Sequence, residues 1–150
     1  MSVIDETNFK LRYLQVSDYY HGFLELLSQL TQVGNIPYAA FVERINQLGI
    51  DYYCLVIEDE VNKRIIGTAT MFIEHKFIHN LCDVGHIEDV VVCDDYRGKK
   101  LGYRLISELK NIAVNRKLYK VILDCNVNNI NFYEKCGFSQ KESQMVLYIK

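Results

Sequence analysis

A chain of 150 residues suits one domain with a real core and is short for two. Apolar residues make up 49% and charged residues 24%, an ordinary balance for a globular domain. The formal net charge of −2 excludes a global field that would recruit nucleic acid or a membrane surface, so any anion must be held by a local patch.

Elements follow in chain order. NFKLRYL (8–14) alternates as an opening strand. Ser17 or Asp18 can cap a helix running to about Gln32, with Phe23, Leu26, Leu27 and Leu30 on one face. Pro37 opens a second helix through Phe41, Ile45 and Leu48, closed by Gly49. YYCLVIE (52–58) reads as a strand, and DEVNK turns it into RIIGTATMFIEHKF (64–77), an antiparallel pair. GHIEDVVVC (85–93) is the next strand. A helix starts near Lys100, with Leu101, Leu105, Ile106, Leu109, Ile112 and Ala113 in one stripe. YKVILDC (119–125) is a buried strand, NNINFYEKC (128–136) a short helix ended by Gly137, and SQMVLYIK (143–150) a final strand. The order β α α β β β α β α β predicts an α/β or α+β layered sheet with helices on its faces. One proline and no repeat or low-complexity segment leave no internal linker.

The longest mostly apolar run, Ile65 to Ile73, is strand-sized and implies no membrane span. MSVIDETNFK lacks a basic-then-apolar leader pattern, which predicts a cytoplasmic protein. The five cysteines form no CxxC pair and no Cys/His cluster at zinc spacing, so no metal site is expected. Cys54, Cys93 and Cys125 sit in apolar runs and read as small core residues.

The stretch HIEDVVVCDDYRGKKLG (86–102) passes from strand to helix through a basic loop punctuated by glycine. Free N–H groups and the positive end of the helix dipole meet there, and Arg97, Lys99 and Lys100 add cations. Gly98 and Gly102 allow close approach of a phosphate to the backbone. Neither GxxxxGK[ST] nor GxGxxG is present. The loop chemistry alone fits either an anion site or a solvated basic turn.

The run RGKKLG, placed after an apolar strand and before an amphipathic helix, resembles the acetyl-CoA pyrophosphate loop of the GNAT acetyltransferase superfamily, Q/R-x-x-G-x-G/A. Arg97 and Gly102 match its ends, whereas Lys100 stands where the middle glycine usually is; a side chain there calls for a negative φ. The blocks LTQVG (30–34), IEHKFIH (73–79), GHIEDVVV (85–92) and LDCNVNNINFYEKCGF (123–138) resemble the glucosamine 6-phosphate N-acetyltransferase family in order and spacing, from about Leu30 to the end.

That resemblance implies one N-acetyltransferase domain over residues 1–150 with a mixed central sheet and helices on both faces. It implies acetyl-CoA as co-substrate, D-glucosamine 6-phosphate as acceptor, direct attack in a ternary complex, a role in UDP-N-acetylglucosamine synthesis, and a homodimer with sites completed across the interface. Glu88 to Val92 become a splayed strand whose backbone, through Val90, Val91 and Val92, pairs with the pantetheine arm, an N–H near Val90 polarising the thioester. The pyrophosphate falls on Arg97, Gly98, Lys99, Lys100, Leu101 and Gly102, and Asn129 contacts the coenzyme. Tyr133 becomes the proton donor to the leaving thiolate. Glu88 and Asp89 contact the amino sugar, and Asp124 helps orient the amine through its carbonyl. Thr31, Lys76, Phe77, Ile78 and His79 line the sugar phosphate. Family members often carry an arginine just before the last residue. Ile149 stands there in this chain, and Lys150 offers a point charge instead of a fork.

Without the family, Tyr133 is a packing aromatic beside Phe132, Glu88 and Asp89 form a solvated strand edge, and Lys76 and His79 form an exposed turn. Two rival functions are acetylation of another small-molecule or protein amine, opposed by EHKFIH, and a non-catalytic CoA-binding module, which needs neither the phenol nor the acids. Nucleic-acid binding through RGKK lacks interleaved aromatics.

Overall fold

The computed structural model describes residues 8–150; most of the N-terminal stretch read for a leader lies outside them. Five strands form one sheet in the order β1 (Phe9–Tyr13), β2 (Tyr52–Asp59), β3 (Arg64–His75), β4 (Asp83–Val92) and β5 (Lys120–Leu123). The first four pair antiparallel, and β5 joins β4 in parallel. A parallel neighbour needs a crossover, and α3 (Leu101–Asn115) supplies it. That topology brings the N-terminus of a 15-residue helix to the end of β4. A mixed sheet with helices packed on it is the architecture that the resemblance implied.

One core spans the layers. Leu105, Ile106 and Leu109 of α3 are buried with Leu55, Ile57, Met71 and Ile87 of the sheet. Close contact between the two is possible because Gly67 has no side chain; a Cβ there would lie 3.3 Å from Leu105 Cδ1. Phe23 and Leu26 of α1 (Phe23–Leu27) and Phe41 of α2 (Tyr38–Gln47) extend the same cluster.

Four expectations are corrected. The helix foreseen from Ser17 to Gln32 divides into a 3-10 turn, Val16–His21, and the five-residue α1, because Gly22 takes a left-handed conformation (φ 84°) between them. Asp18 has a different job from the simple cap foreseen for it. It is fully buried, accepts from the Gln15 amide at 2.8 Å and binds Arg12 through two bonds of 2.9 and 2.7 Å. The final strand over 143–150 does not form: residues 139–150 have no regular structure, and Met145 to Ile149 are 65–92% exposed. A strand exists only when paired, and no neighbouring strand of the described chain takes up this segment. Cys125, read as a core residue, is exposed just beyond the end of β5, while Cys93 is buried and Cys54 half-buried.

Arg12 ties β1 to the first turn and, through Glu58 at 3.0 Å, to β2. Removing one partner of a buried pair leaves the other charge uncompensated, so Asp18→Ala should cost about 3 kcal/mol. Urea unfolding monitored by circular dichroism measures it; a loss below about 1 kcal/mol would mean that Glu58 alone satisfies Arg12.

Candidate active site

The β4–β5 ladder runs only from Val84–Lys120 to Ile87–Leu123. Beyond it β4 continues to Val92, still paired with β3 on its other side. The β5-facing backbone of Glu88 to Val92 therefore borders a wedge-shaped opening. At the mouth of the wedge the β3–β4 register shifts between Thr68 and Thr70, and Asp89 adopts φ 52°. Aspartate tolerates this left-handed region better than most residues, and a bulge here bends the strand and re-aims its groups. Val90 is half-buried and Val91 fully buried, so the valines are anchored while their backbone lines the opening.

At the far end of β4 the turn Asp94–Tyr96 leads into the basic loop. The Asp94 amide donates to Gln29 Oε1 at 3.0 Å, a contact from the end of α1 that the sequence pattern did not single out. Arg97 lies on Asp94 at 2.7 Å on the exposed surface. The first α3 bond is the Arg104 amide to the Lys100 carbonyl, which leaves the preceding amides of the first turn without helical acceptors. Lys100 does not keep a negative φ: it sits at φ 59°, ψ 25°, the left-handed conformation that the family's glycine would take freely. Gly98 is also left-handed, at φ 81°. Gly102 has a packing reason in addition to any phosphate. A Cβ there would lie 3.1 Å from Phe132 Cζ of α4 (Ile130–Lys135) and 3.8 Å from Val92 Cγ2.

Glu88, Asp124 and Tyr133 line one open cavity of about 1230 Å³, together with His86, Ile122 and the segment Phe138–Gln144. Burial pushes the Tyr133 hydroxyl up to about 12, and the nearby Cys125 and Cys136 thiols add to the rise. It is therefore a protonated donor throughout the working range. Its ring is fixed edge-on by Phe132 at 4.9 Å and Phe138 at 6.0 Å. Glu88 and Asp89 are both exposed, yet partial desolvation pushes Glu88 upward, reinforced by the charges of Asp89 and Asp124 and opposed by His86. Asp124, just past β5, accepts from Gln144 Nε2 at 3.3 Å.

His86 was missed in the sequence, although its spacing of two from Glu88 puts both on one face of β4. It stacks on Phe72 at 4.6 Å and its Nε2 lies 2.9 Å from Glu74 Oε1. Glu74 in turn holds Lys76 at 3.2 Å. The row Lys76, Glu74, His86, Glu88 thus runs along one face toward the wedge. Phe77, Ile78 and His79 lie in the β3–β4 connection, beyond Asp83 and so at least five residues, roughly 16 Å of strand, from Glu88. Phe77 is 91% exposed, and His79 stacks on Tyr119 at 4.5 Å. Thr31 is exposed after α1, Asn129 is exposed in the turn before α4, and Lys150 ends the exposed tail. One chain therefore gathers the acids and the phenol, and leaves the cations proposed for the phosphate spread along its rim. Among the described residues no cluster of His, Cys, Asp and Glu has the makings of a metal site.

The acetyltransferase (GNAT) family model matches residues 16–138. The chain is 46% identical to a glucosamine 6-phosphate N-acetyltransferase of Arabidopsis thaliana over 93% of its own length and 96% of that protein's. It is 40% identical to the enzyme of that name in Candida albicans, over 92% and 94%. The crystal structure of the Arabidopsis glucosamine-6-phosphate N-acetyltransferase superimposes with a TM-score of 0.93 at 44% identity, covering 95% of this chain and 99% of that one. An acetyltransferase of Trypanosoma brucei superimposes with a TM-score of 0.89 at 37% identity, covering 94% and 99%.

Lys100 is the residue at which the loop departs from the superfamily pattern, and its backbone is left-handed. A side chain in that region costs about 1 kcal/mol that glycine does not. Lys100→Gly should raise the thermal midpoint by about 3 °C. Scanning calorimetry reads the shift, and a fall in the midpoint would mean that the lysine side chain stabilises the loop by more than its backbone strains it.

Proposed function

The chain belongs to the acetyltransferase (GNAT) family, and from that premise we propose that it transfers the acetyl group of acetyl-CoA to the amine of D-glucosamine 6-phosphate. The observation that carries the reading is the wedge between β4 and β5, with Glu88, Asp124 and Tyr133 in the cavity beside it. The identity to glucosamine 6-phosphate N-acetyltransferases over most of both chains supports the choice of amine.

In this reading the whole chain acts as one N-acetyltransferase domain. The pantetheine arm lies in the wedge as an added strand on the free edge of Val90 to Val92. An amide near Val90 donates to the thioester oxygen, where negative charge grows in the transition state. The diphosphate rests on the amides and cations of Arg97, Gly98, Lys99, Lys100, Leu101 and Gly102, with Asn129 against the coenzyme. Glu88 and Asp89 hold the amino sugar, and the Asp124 carbonyl orients its amine. The free amine attacks the thioester carbon, the C–S bond breaks, and the amine's proton leaves to solvent or an acceptor at Glu88. Tyr133 donates to the departing thiolate. Burial that raises the phenol also raises a thiol in the same cavity, so the two stay closer in proton affinity than the phenol alone suggests. Thr31, Lys76, Phe77, Ile78, His79 and Lys150 are the groups offered to the sugar phosphate, and those of the β3–β4 connection, far from Glu88 in their own chain, reach it from a second copy. The product enters UDP-N-acetylglucosamine synthesis in the cytoplasm.

We infer a homodimer as the working form. The support is the segment Met145–Ile149, five consecutive apolar residues exposed on a single chain, next to a cavity lined by the residues that precede it. A second copy would cover it and would bring a second set of cations toward each cleft. Deleting residues 143–150 should convert a species of twice the chain mass to monomer by light scattering. A full chain that is monomeric at micromolar concentration would refute the dimer.

Three measurements test the chemistry. Mass spectrometry should detect acetylated product from glucosamine 6-phosphate and far less from glucosamine; product from neither, with acetyl-CoA still bound, moves the acceptor to another amine. Tyr133→Phe should lower kcat about 100-fold with little change in the KM for acetyl-CoA, the scale of a lost general acid; unchanged kcat would reduce Tyr133 to packing. Glu88 is raised above the ordinary glutamate range, chiefly by burial. If its ionised form binds the amino sugar, kcat/KM falls as pH drops through that raised value. The acid limb should therefore lie above pH 4.5 and disappear in Glu88→Gln; the same limb in the variant would assign it to another group.

A further inference from the structure

The β2–β3 hairpin lies outside the cleft, yet it holds a buried carboxylate aimed at the anion loop. Asp59, at the end of β2, is 1% exposed. Its Oδ1 accepts from the amides of Val61 at 3.0 Å and Asn62 at 3.1 Å, and its Oδ2 accepts from Asn62 Nδ2 at 2.7 Å. Those bonds fix the turn. A fourth joins the hairpin to a different part of the chain: the Tyr96 hydroxyl donates to Asp59 Oδ2 at 2.7 Å, across 37 residues of sequence. Burial alone would push Asp59 upward, but the Asn62 and Tyr96 hydrogen bonds outweigh it and hold the carboxyl below its usual range. The acceptor is thus an ionised carboxylate, and a hydrogen bond to a charge is one of the stronger kinds.

Tyr96 immediately precedes Arg97, the first residue of the loop. Its ring is wedged edge-on against Phe9 at 5.7 Å. On the other side of the same turn, Gln29 holds the Asp94 amide. From this anchored turn the chain reverses twice, at Gly98 and at Lys100, before α3 begins. The direction in which the loop amides point depends on where the turn is fixed, and loop donors bind an anion best when they need no rearrangement.

We propose that Asp59 and Tyr96 are positioning residues for the diphosphate of the acyl carrier: the buried Asp59–Tyr96 hydrogen bond sets the start of the 97–102 loop, so that its amides and the α3 N-terminus converge on one anion. This rests on the acetyl-CoA reading above. Neither side chain touches the reacting atoms. Their contribution is confined to thioesters that carry a diphosphate.

Tyr96→Phe keeps the ring on Phe9 and deletes only the hydroxyl. It should raise the KM for acetyl-CoA about tenfold, the effect of losing a charge-assisted hydrogen bond, while kcat at saturation and the KM for the acceptor amine stay as they were. With S-acetylpantetheine, which has no diphosphate, kcat/KM should be the same for variant and wild type. Calorimetric titration with CoA should show the same tenfold weakening without any need for turnover, so a wrong acceptor amine would leave this arm intact. Asp59→Asn keeps an acceptor for the two turn amides but replaces the charged Oδ2 that accepts from Tyr96 and from Asn62 Nδ2, so it should weaken CoA binding at least as much as Tyr96→Phe does. Equal losses with both thioesters, or a lowered thermal midpoint with unchanged CoA affinity, would overturn the proposal. A wild-type chain that binds no CoA would overturn it together with the acetyl-CoA reading.

Discussion

The site depends on a ladder that stops early. If β4 and β5 stayed paired to the end of β4, the backbone groups of Glu88 to Val92 would be consumed by the sheet, and no cleft would exist. They separate after Ile87 and Leu123. The separation has structural causes on both sides. Asp89, left-handed at φ 52° beside the shifted β3–β4 register, interrupts β4 just past its last residue paired with β5, and after β5 the chain turns off into α4, whose Phe132 packs against Gly102. Unpaired polar backbone in a partly apolar wedge is costly unless something pairs with it. A ligand with its own amides, lying as a strand, would answer that need through the backbone alone, whatever the side chains of the strand.

The electrostatics of the cleft follow the same economy. The chain as a whole is slightly acidic, so any pull on an anion is local, from a helix N-terminus, free amides and the lysines of one short loop. A few residues back along β4 the balance reverses. Glu88, Asp89 and Asp124 share one region, and their mutual repulsion adds to burial in raising Glu88. A cationic amine relieves that repulsion, whereas an anion there would worsen it. The strand therefore carries two polarities, one suited to an anion at its end and one suited to a cation at its middle.

Much of this was legible in the residues. The apolar stripe of α3, the β2–β3 hairpin and the basic loop all have local signals, and local signals were enough to order the elements. The errors share a cause. The break at Gly22 is a backbone reversal inside a sequence with helical periodicity, and periodicity does not report φ. The tail Met145–Ile149 has strand composition, but a strand also requires a partner. Cys125 lies one residue beyond Asp124, where burial ends with the ladder and the composition does not change. The left-handed Lys100 is the most informative miss. The family glycine was missing, a negative φ was the natural expectation for lysine, and the loop path proved stronger than the residue's preference. Relations such as Asp59 to Tyr96 or Gln29 to Asp94 span 37 and 65 residues and leave no mark in any local window.

Strain is distributed in the same pattern. Among the described residues seven non-glycines have positive φ: Lys63, His79, Asn80, Leu81, Asp89, Lys100 and Lys117. Lys63 and Lys117 lie in plain connections, where an αL residue helps reverse the chain. Of the other five, His79, Asn80 and Leu81 lie in the connection leading into β4, Asp89 lies on β4 and Lys100 caps the α3 N-terminus. Each costs on the order of 1–3 kcal/mol and persists only where the surroundings dictate it. The surroundings here are the fully buried rows of β2, β3 and α3, which can hold the strand ends in place without contributing any chemistry. The rigid part of the molecule therefore supports an irregular strand, and the irregularities are where the ligands are proposed to meet it. The run of three at His79–Leu81 has no glycine to ease it, and the stack of His79 on Tyr119 at the entry to β5 ties that turn back to the sheet. A strained turn fastened to the strand that borders the wedge is suited to present side chains in one fixed orientation, which a flexible loop of the same sequence could not do.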